Sequence, residues 1–382
     1  MPPRLLSALL LVLACATPAG AQTLSDADLK RHIDSLSNFT YSTRMTAARM
    51  IRRAPAASVV PALVASVRAH PDEFVRYRAL VILTSFNDSG TPALMRSLLT
   101  DRNDRVREVA YRWFERNPDA ELTDTLLAAL NTEQSEFVRP ALLQAVAALP
   151  PYDRVQRAML GEIGRGFDFF RSAVISALGD HRSAYAFDAV AALTALEGTL
   201  QDDAVLALGR MGEPRALKPL ADLAKASPEV TAALQAAQCM LGAACEERIQ
   251  WLRDTARSPT TRPELVRATL AALAAIGESN PVARETLVQM ANAAPDRLRR
   301  ETGLALSTLA LRRSPEMIAW LVEAPAEVRT AAIDLLREGF ESLEEDFAEE
   351  QFFGTARAAY WKVPEGSDGR AIIAGLIDRL EF

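Results

Sequence analysis

Histidine, cysteine and lysine are scarce in this sequence, and each scarcity removes a class of function. The three histidines, His32, His70 and His181, stand far apart in no metal-ligand spacing, and the cysteines, Cys15, Cys239 and Cys245, add no further ligand set. A zinc site needs about four such side chains converging on the ion, so no metal is expected. Lysine occurs only at positions 30, 218, 225 and 362, and the formal net charge is -6 with no basic block. Nucleic acid is therefore excluded as a partner, because its binding rests on Lys and Arg neutralising phosphates. There is no HExxH, no G-x-x-x-x-G-K-[ST] phosphate loop and no G-x-S-x-G elbow, and "GEIGRG" at 161–166 does not match the dinucleotide fingerprint. No catalytic residue and no cofactor is nominated.

What is present suffices for a packed core: 382 residues, 49 % hydrophobic and 24 % charged. The first segment, "MPPRLLSALLLVLACATPAGAQ", carries Arg4, an apolar stretch from Leu5 to Ala14, and the small residues Ala19-Gly20-Ala21. That stretch is shorter than the about 20 apolar residues a membrane span requires. It has the form of a secretory signal over residues 1–21, with the mature chain starting at Gln22 and residing in the periplasm or outside the cell. The alternative is a lipoprotein box, Val12-Leu13-Ala14-Cys15, which would anchor the chain by a lipid on Cys15. No later run approaches transmembrane length.

One short pattern recurs along the rest: "FVRYRALVIL" at 74, "RVREVAYRWF" at 105, "FVRPALLQAVAAL" at 137, "FFRSAVISALG" at 169, "LVRATLAALAAIG" at 265 and "EVRTAAIDLLREG" at 327. Its arginines, Arg44, Arg76, Arg107, Arg139, Arg171, Arg267, Arg299 and Arg329, are separated by 32, 31, 32, 32, 96, 32 and 30 residues. A period near 32 holds two helices and two short turns, and a fixed period of that size signals a solenoid. Val75, Ala79, Ile82 and Leu83 fall at helical spacing and mark the buried face of the second helix of a unit. Before each second helix comes a segment opened by Ser, Asn or Pro, such as "SVVPALVASV" at 58 or "NPVARETLVQMA" at 280, which suits helix starts. The expected fold is all-α: a right-handed superhelix of about nine hairpins, capped at both ends.

The pattern resembles HEAT repeats of the short, lyase-type variety, through "DEFVR" at 72–76, "DRVR" at 104–107, and "ALG" at 177–179 and 207–209. The resemblance implies that the turn Asp and Arg reach their equivalents in the next unit, forming a ladder of charge-assisted hydrogen bonds. Asp72, Arg76, Asp104, Arg107, Arg139 and Arg171 would belong to it, with Arg267, Arg299 and Arg329 continuing it. The alternative is an anion-binding stripe. Deoxyhypusine hydroxylase, built on similar repeats, binds iron through His-Glu pairs, and no His here is followed by Glu. Phycobilin lyases also use such repeats but work inside the cell, so neither activity carries over.

Two units between Arg171 and Arg267 lack the arginine, with Gln201 or Asp202 near one vacant position and Thr231 or Ala232 near the other. The same region holds Cys239 and Cys245 around Gly242, and in an exported chain that pair favours a structural disulfide. Near the end, "EGFESLEEDFAEEQFFG" puts Phe340, Leu343 and Phe347 on one helical face, with carboxylates on the rest. This suits a polar-backed cap, or else an acidic docking helix. The organisation expected is a signal at 1–21, a solenoid at 22–340 and acidic capping helices at 341–382. The functional expectation is a non-enzymatic exported scaffold that binds a protein or peptide partner on its curved surface, the alternative being an enzyme or enzyme subunit with scattered carboxylates.

Overall fold

The computed structural model describes residues 24–226, 231–292, 296–343 and 345–380. The expected signal at 1–21 and its alternative anchor Cys15 lie outside the described residues. Among the described residues there are twenty-two α-helices and no strand. The first two, α1 (Asp26–Asp34) and α2 (Tyr41–Arg53), precede the hairpins. Next come α3 (Ala56–Ala69) with α4 (Glu73–Leu83), α5 (Thr91–Leu98) with α6 (Asp104–Arg116), and α7 (Thr123–Thr132) with α8 (Val138–Ala147). They are followed by α9 (Asp153–Glu162) with α10 (Asp168–Asp180), α11 (Phe187–Leu193) with α12 (Thr199–Met211), and α13 (Leu217–Ala226) with α14 (Thr231–Met240). The last hairpins are α15 (Cys245–Arg257) with α16 (Pro263–Gly277), α17 (Pro281–Asn292) with α18 (Asp296–Arg312), and α19 (Ser314–Glu323) with α20 (Ala326–Leu343). Helices α21 (Asp346–Lys362) and α22 (Asp368–Leu380) close the order. From α3 to α20 this makes nine hairpins, the α-solenoid that the period requires.

Local chemistry explains the helix starts. Asp72 caps α4, its carboxylate accepting from the backbone N–H of Phe74 at 2.8 Å, and Asn103 caps α6 by accepting from Arg105 N–H at 3.0 Å. Pro263 and Pro281 open α16 and α17, where a missing N–H costs nothing. Pro61 departs from that expectation. It lies inside α3, which begins at Ala56, so the Ala57 carbonyl lacks its usual helical partner.

Within the stack, the second helices of successive units, α4 through α20, pack on one another and form the inner layer, while the first helices splay outward. The "ALG" signature follows from that crowding. A Cβ on Gly179 would stand 2.8 Å from Ala207 Cα, and one on Gly209 would stand 2.6 Å from Ala237 Cα. Only glycine lets α10, α12 and α14 approach so closely. The apolar core between the layers divides at α14. Ala233, Leu234 and Ala237 join the cluster running back to Leu29, whereas Ala232, Ala236 and Cys239 join the one running on to Leu380.

The array does not remain a row of neighbours. Helix α21 packs against α18 and α19 and also returns to touch α4 near the other end of the chain. Arg52 of α2 pairs with Glu350 of α21 at 2.6 Å, both almost wholly buried. Arg78 of α4 pairs with Asp346 at 3.1 Å, and Gln351 donates to the Thr84 hydroxyl at 3.0 Å. The acidic segment therefore differs from its expected form. It breaks at Glu345, which caps the second of two helices, so Phe340 and Phe347 lie on different helices, and Phe340 instead meets Phe352 edge-to-face at 5.3 Å. Glu349 and Glu350 are buried because the polar side of α21 faces the arginines of the first units. Burial pushes the Glu349 carboxyl up to about 8, with nearby Asp346 adding to the effect.

Candidate binding surface and inner cavity

The periodic arginines share a job through the first half of the array. Each reaches back to the C-terminal carbonyls of its own unit's first helix or the turn after it, where helices leave acceptors unpaired. Arg76 donates to Val67 O at 2.8 Å, Arg139 to Leu130 O at 2.8 Å, and Arg171 to Ile163 O at 3.1 Å. Arg107 reaches the turn carbonyl of Asp101 at 2.8 Å. Three of them also reach forward into the next unit. Arg76 forks onto Asp101, Arg107 forks onto Glu133 at 2.8 and 3.0 Å, and Arg139 pairs with Glu162. Burial raises the Asp101 and Glu133 carboxyls, but the guanidinium hydrogen bonds, the backbone N–H bonds of the turn and the arginine charges together outweigh it and hold both below the ordinary range.

The acceptors differ from those inferred by resemblance. Asp72 is spent on its own helix N-terminus, and Asp104 accepts from the Ser135 hydroxyl of the next unit at 3.3 Å, so neither receives a ladder arginine. Asp101 and Glu133 were legible as carboxylates six positions before Arg107 and Arg139, a spacing that lets the turn fold each one toward the preceding unit. Arg44 donates to the carbonyls of Asn38 and Phe39, both at 3.1 Å. Arg329 lies against the last carbonyls of α19 without a carboxylate partner among the described residues. Arg299 pairs with Glu338 at 2.8 Å on the surface. Arg267 is exposed, with only Glu264 of its own helix at 3.9 Å. Outside the register, Arg284 of α17 is buried and donates to carbonyls at the end of α16, Gly277 O at 2.6 Å and Glu278 O at 3.1 Å, and to Glu316 O at 3.1 Å.

In the interrupted stretch the first vacancy is filled by Gln201. Its amide is buried and donates to Thr194 O at 2.7 Å, which keeps the backward contact and drops the forward charge. Cys239, near the end of α14, and Cys245, opening α15, form a disulfide. Gly242, at φ +83°, makes the left-handed turn between them, its N–H donating to Cys239 O at 2.8 Å.

Across the interior runs an ionic knot that no repeat register foretells. Asp180, at the end of α10, takes Arg312 of α18 at 2.5 Å, Arg210 of α12 at 3.5 Å and the Gln144 amide of α8 at 3.0 Å. Glu278, just after α16, takes Arg210 and Arg313, each at 3.2 Å. Burial raises the Asp180 carboxyl, and Arg312, Arg210 and the Gln144 amide together with His181 more than reverse it. Beside the knot, inward residues of α6, α8 and α10 face α18 and α21 across a cavity of about 540 Å³.

Five phenylalanines at or just before the starts of α2, α4, α8 and α10 are exposed. Phe39, Phe74, Phe137, Phe167 and Phe169 are 101, 48, 70, 82 and 57 % exposed. Phe74, Phe137 and Phe169 sit two positions before Arg76, Arg139 and Arg171, so the stacking of α4, α6, α8 and α10 sets them along one edge. At the equivalent place on α6 stands Arg105, its guanidinium 5.5 Å from the Phe74 ring centroid. The repeated "FVR" and "FFR" carried this signal in the sequence, but an apolar residue beside a periodic arginine passes for core.

Residues 30–115 match the family described as HEAT repeats. No curated protein matches the chain. Among solved structures, importin beta in an ammonium sulfate condition is similar at 14 % identity and a TM-score of 0.41, over 92 % of this chain and 55 % of that one. Kap95p, whose binding is described as switching RanGDP loops, is similar at 13 % identity and a TM-score of 0.38, over 92 % and 56 %. Kap121p bound to Nup53p is similar at 13 % identity and a TM-score of 0.33, over 94 % and 41 %. The chain spans about half the length of the first two.

Proposed function

We propose that this HEAT-repeat chain is an exported, non-enzymatic scaffold that binds a protein or peptide partner along the phenylalanine edge of its first units. The row of exposed phenylalanines carries the reading. Large apolar side chains clustered at one edge are the usual mark of an interaction surface, and aromatic anchors supply most of the energy where such surfaces meet. Much of the inner curved face is occupied by α21 and the ionic knot, which leaves the edge formed by the starts of the second helices as the surface free to receive a partner. Export is supported by the leader-like composition of residues 1–21 and by the Cys239–Cys245 disulfide, since such bonds persist in oxidising compartments.

The test uses the mature chain, residues 22–382, as bait in an extract of the cell envelope or culture medium. Phe137→Ser with Phe169→Ser should lose a partner that the parent retains, while thermal unfolding stays unchanged because both rings are solvated. An identical set of bound proteins would sink the assignment of the edge. The alternative, an enzyme with scattered carboxylates, draws on Asp202, whose carboxyl is pushed up to about 6 by burial and by the adjacent Asp203. Turnover lost in Asp202→Asn would favour that reading instead.

A further inference from the structure

The register of the phenylalanine edge fixes its spacing as well as its exposure. Phe74, Arg105, Phe137 and Phe169 each precede the periodic arginine of their unit by two positions, and α4, α6, α8 and α10 pack in that order. Packed helices lie about 8–10 Å apart axis to axis, so the four side chains form a row with that step. The position just before each is acidic: Glu73, Asp104, Glu136 and Asp168. A carboxylate there follows from the helix dipole. The exposed ring beside it does not, since an aromatic side chain loses rotamer freedom in a helix and gains nothing from water. Glu136 is exposed and has no ion-pair partner among the described residues. Asp168 and Glu73 stay 69 and 55 % exposed despite Arg171 at 3.2 Å and Arg102 at 3.6 Å. Two neighbouring rows result, one of rings and one of carboxylates, with the same step.

We infer, resting on the phenylalanine edge as the binding surface, that its occupant is a proline-rich segment in the polyproline II conformation with a basic residue at every third position. Such a helix has three residues per turn and rises about 3.1 Å per residue, so it presents the same face every ~9.3 Å. One turn of the ligand therefore matches one unit of the solenoid. Prolines at every third residue lie on Phe74, Phe137 and Phe169, and the Lys or Arg beside each lies on the adjoining carboxylate. At the step without a ring, Arg105 is exposed, with its guanidinium 5.5 Å from the Phe74 ring centroid. It donates to a backbone carbonyl of the segment, since polyproline II leaves its carbonyls without internal partners. Other backbones miss the step. An extended strand returns to one face every ~6.8 Å, and an α-helix does so after seven residues, about 10.5 Å, which accumulates to an overshoot across three units. Aromatic-lined surfaces take proline-rich segments because the ligand is already stiff and loses little entropy on docking.

Calorimetric titration of the mature chain with synthetic peptides decides the matter. A peptide of four Pro-Lys-Pro repeats should bind, and one of four Pro-Glu-Pro repeats should bind at least tenfold more weakly. An isomer with all its prolines first and its lysines together at the end should also be at least tenfold weaker, which separates spacing from charge. Phe137→Ser with Phe169→Ser should weaken the Pro-Lys-Pro peptide at least tenfold at an unchanged unfolding midpoint, and Glu136→Gln should weaken it severalfold. The inference is overturned if the periodic peptide does not bind, if the isomer binds as well, if the double variant retains full affinity, or if an amphipathic Leu-Lys helix of the same charge binds more tightly. The two assignments fail separately. Should the double variant lose a partner from the extract while the parent ignores the Pro-Lys-Pro peptide, the edge stands as the binding surface and the polyproline II occupant falls.

Discussion

Arg139 and Arg267 occupy the same register of the repeat, yet their surroundings predict opposite responses to Ala. Arg139 is buried and donates to Leu130 O at 2.8 Å, to Glu133 O at 3.1 Å and to the Glu162 carboxylate. Its removal strands two helix-end carbonyls and leaves Glu162 with only Arg165, 3.0 Å away and half exposed. A hydrogen bond from a charged donor is worth about 1.5–3 kcal/mol, and breaking a buried ion pair costs about 3–5 kcal/mol. Water entering the vacated space, and the retained Arg165, offset part of this. The expected loss for Arg139→Ala is about 3 kcal/mol. Arg267 offers a single contact at 3.9 Å with both partners more than half exposed, so Arg267→Ala should cost about 0–0.5 kcal/mol. Urea unfolding followed by helical circular dichroism and by tryptophan fluorescence measures both variants, two probes being needed because parts of an array can unfold separately. Equal losses for the two variants would refute the argument that partner geometry, rather than repeat register, sets an arginine's contribution.

Two further outcomes follow from the buried acid and the disulfide. Glu349 keeps its proton in the folded chain up to about pH 8 but ionises near 4.5 when unfolded, so it stabilises the fold below pH 4.5, and that contribution is lost as pH rises toward 8. Glu349→Gln should therefore flatten the fall in stability between those values, and thermal melts across pH 5 to 8 with an unaltered slope would contradict this. Reduction of Cys239–Cys245 should cost about 2 kcal/mol on the chain-entropy account. Hydrogen exchange should then accelerate over residues 200–260, around the helix where the core divides, and uniform protection along the array, indifferent to reductant, would count against a weak seam there.

The solenoid was legible because its information is local and periodic. Each unit repeats an apolar stripe, a turn and an arginine at fixed spacing, and the arginine's backward contact lies within its own unit, as Arg76 to Val67 shows. Forward contacts were half legible. The arginines could be named, but Asp72 and Asp104 were chosen as acceptors by resemblance when Asp101 and Glu133 take that part. Arg284 was hidden because it serves the end of a second helix from the following first helix, outside the register that a periodic search follows. The knot and the cavity were beyond reach in principle. Arg312 and Asp180 are 132 positions apart, and only the curvature summed over several units brings them together.

The return of α21 to α2 and α4 changes what kind of object the array is. An open stack can gain or lose a unit at little cost, because each unit answers only to its neighbours. Here the Arg52–Glu350 and Arg78–Asp346 contacts form only if the units between them sum to the right rotation and rise. An inserted or deleted hairpin would displace one partner by a whole step, so the number of units is fixed by arithmetic as firmly as the number of staves in a barrel. Fraying, which starts at the ends of an open stack, must first part those buried ion pairs.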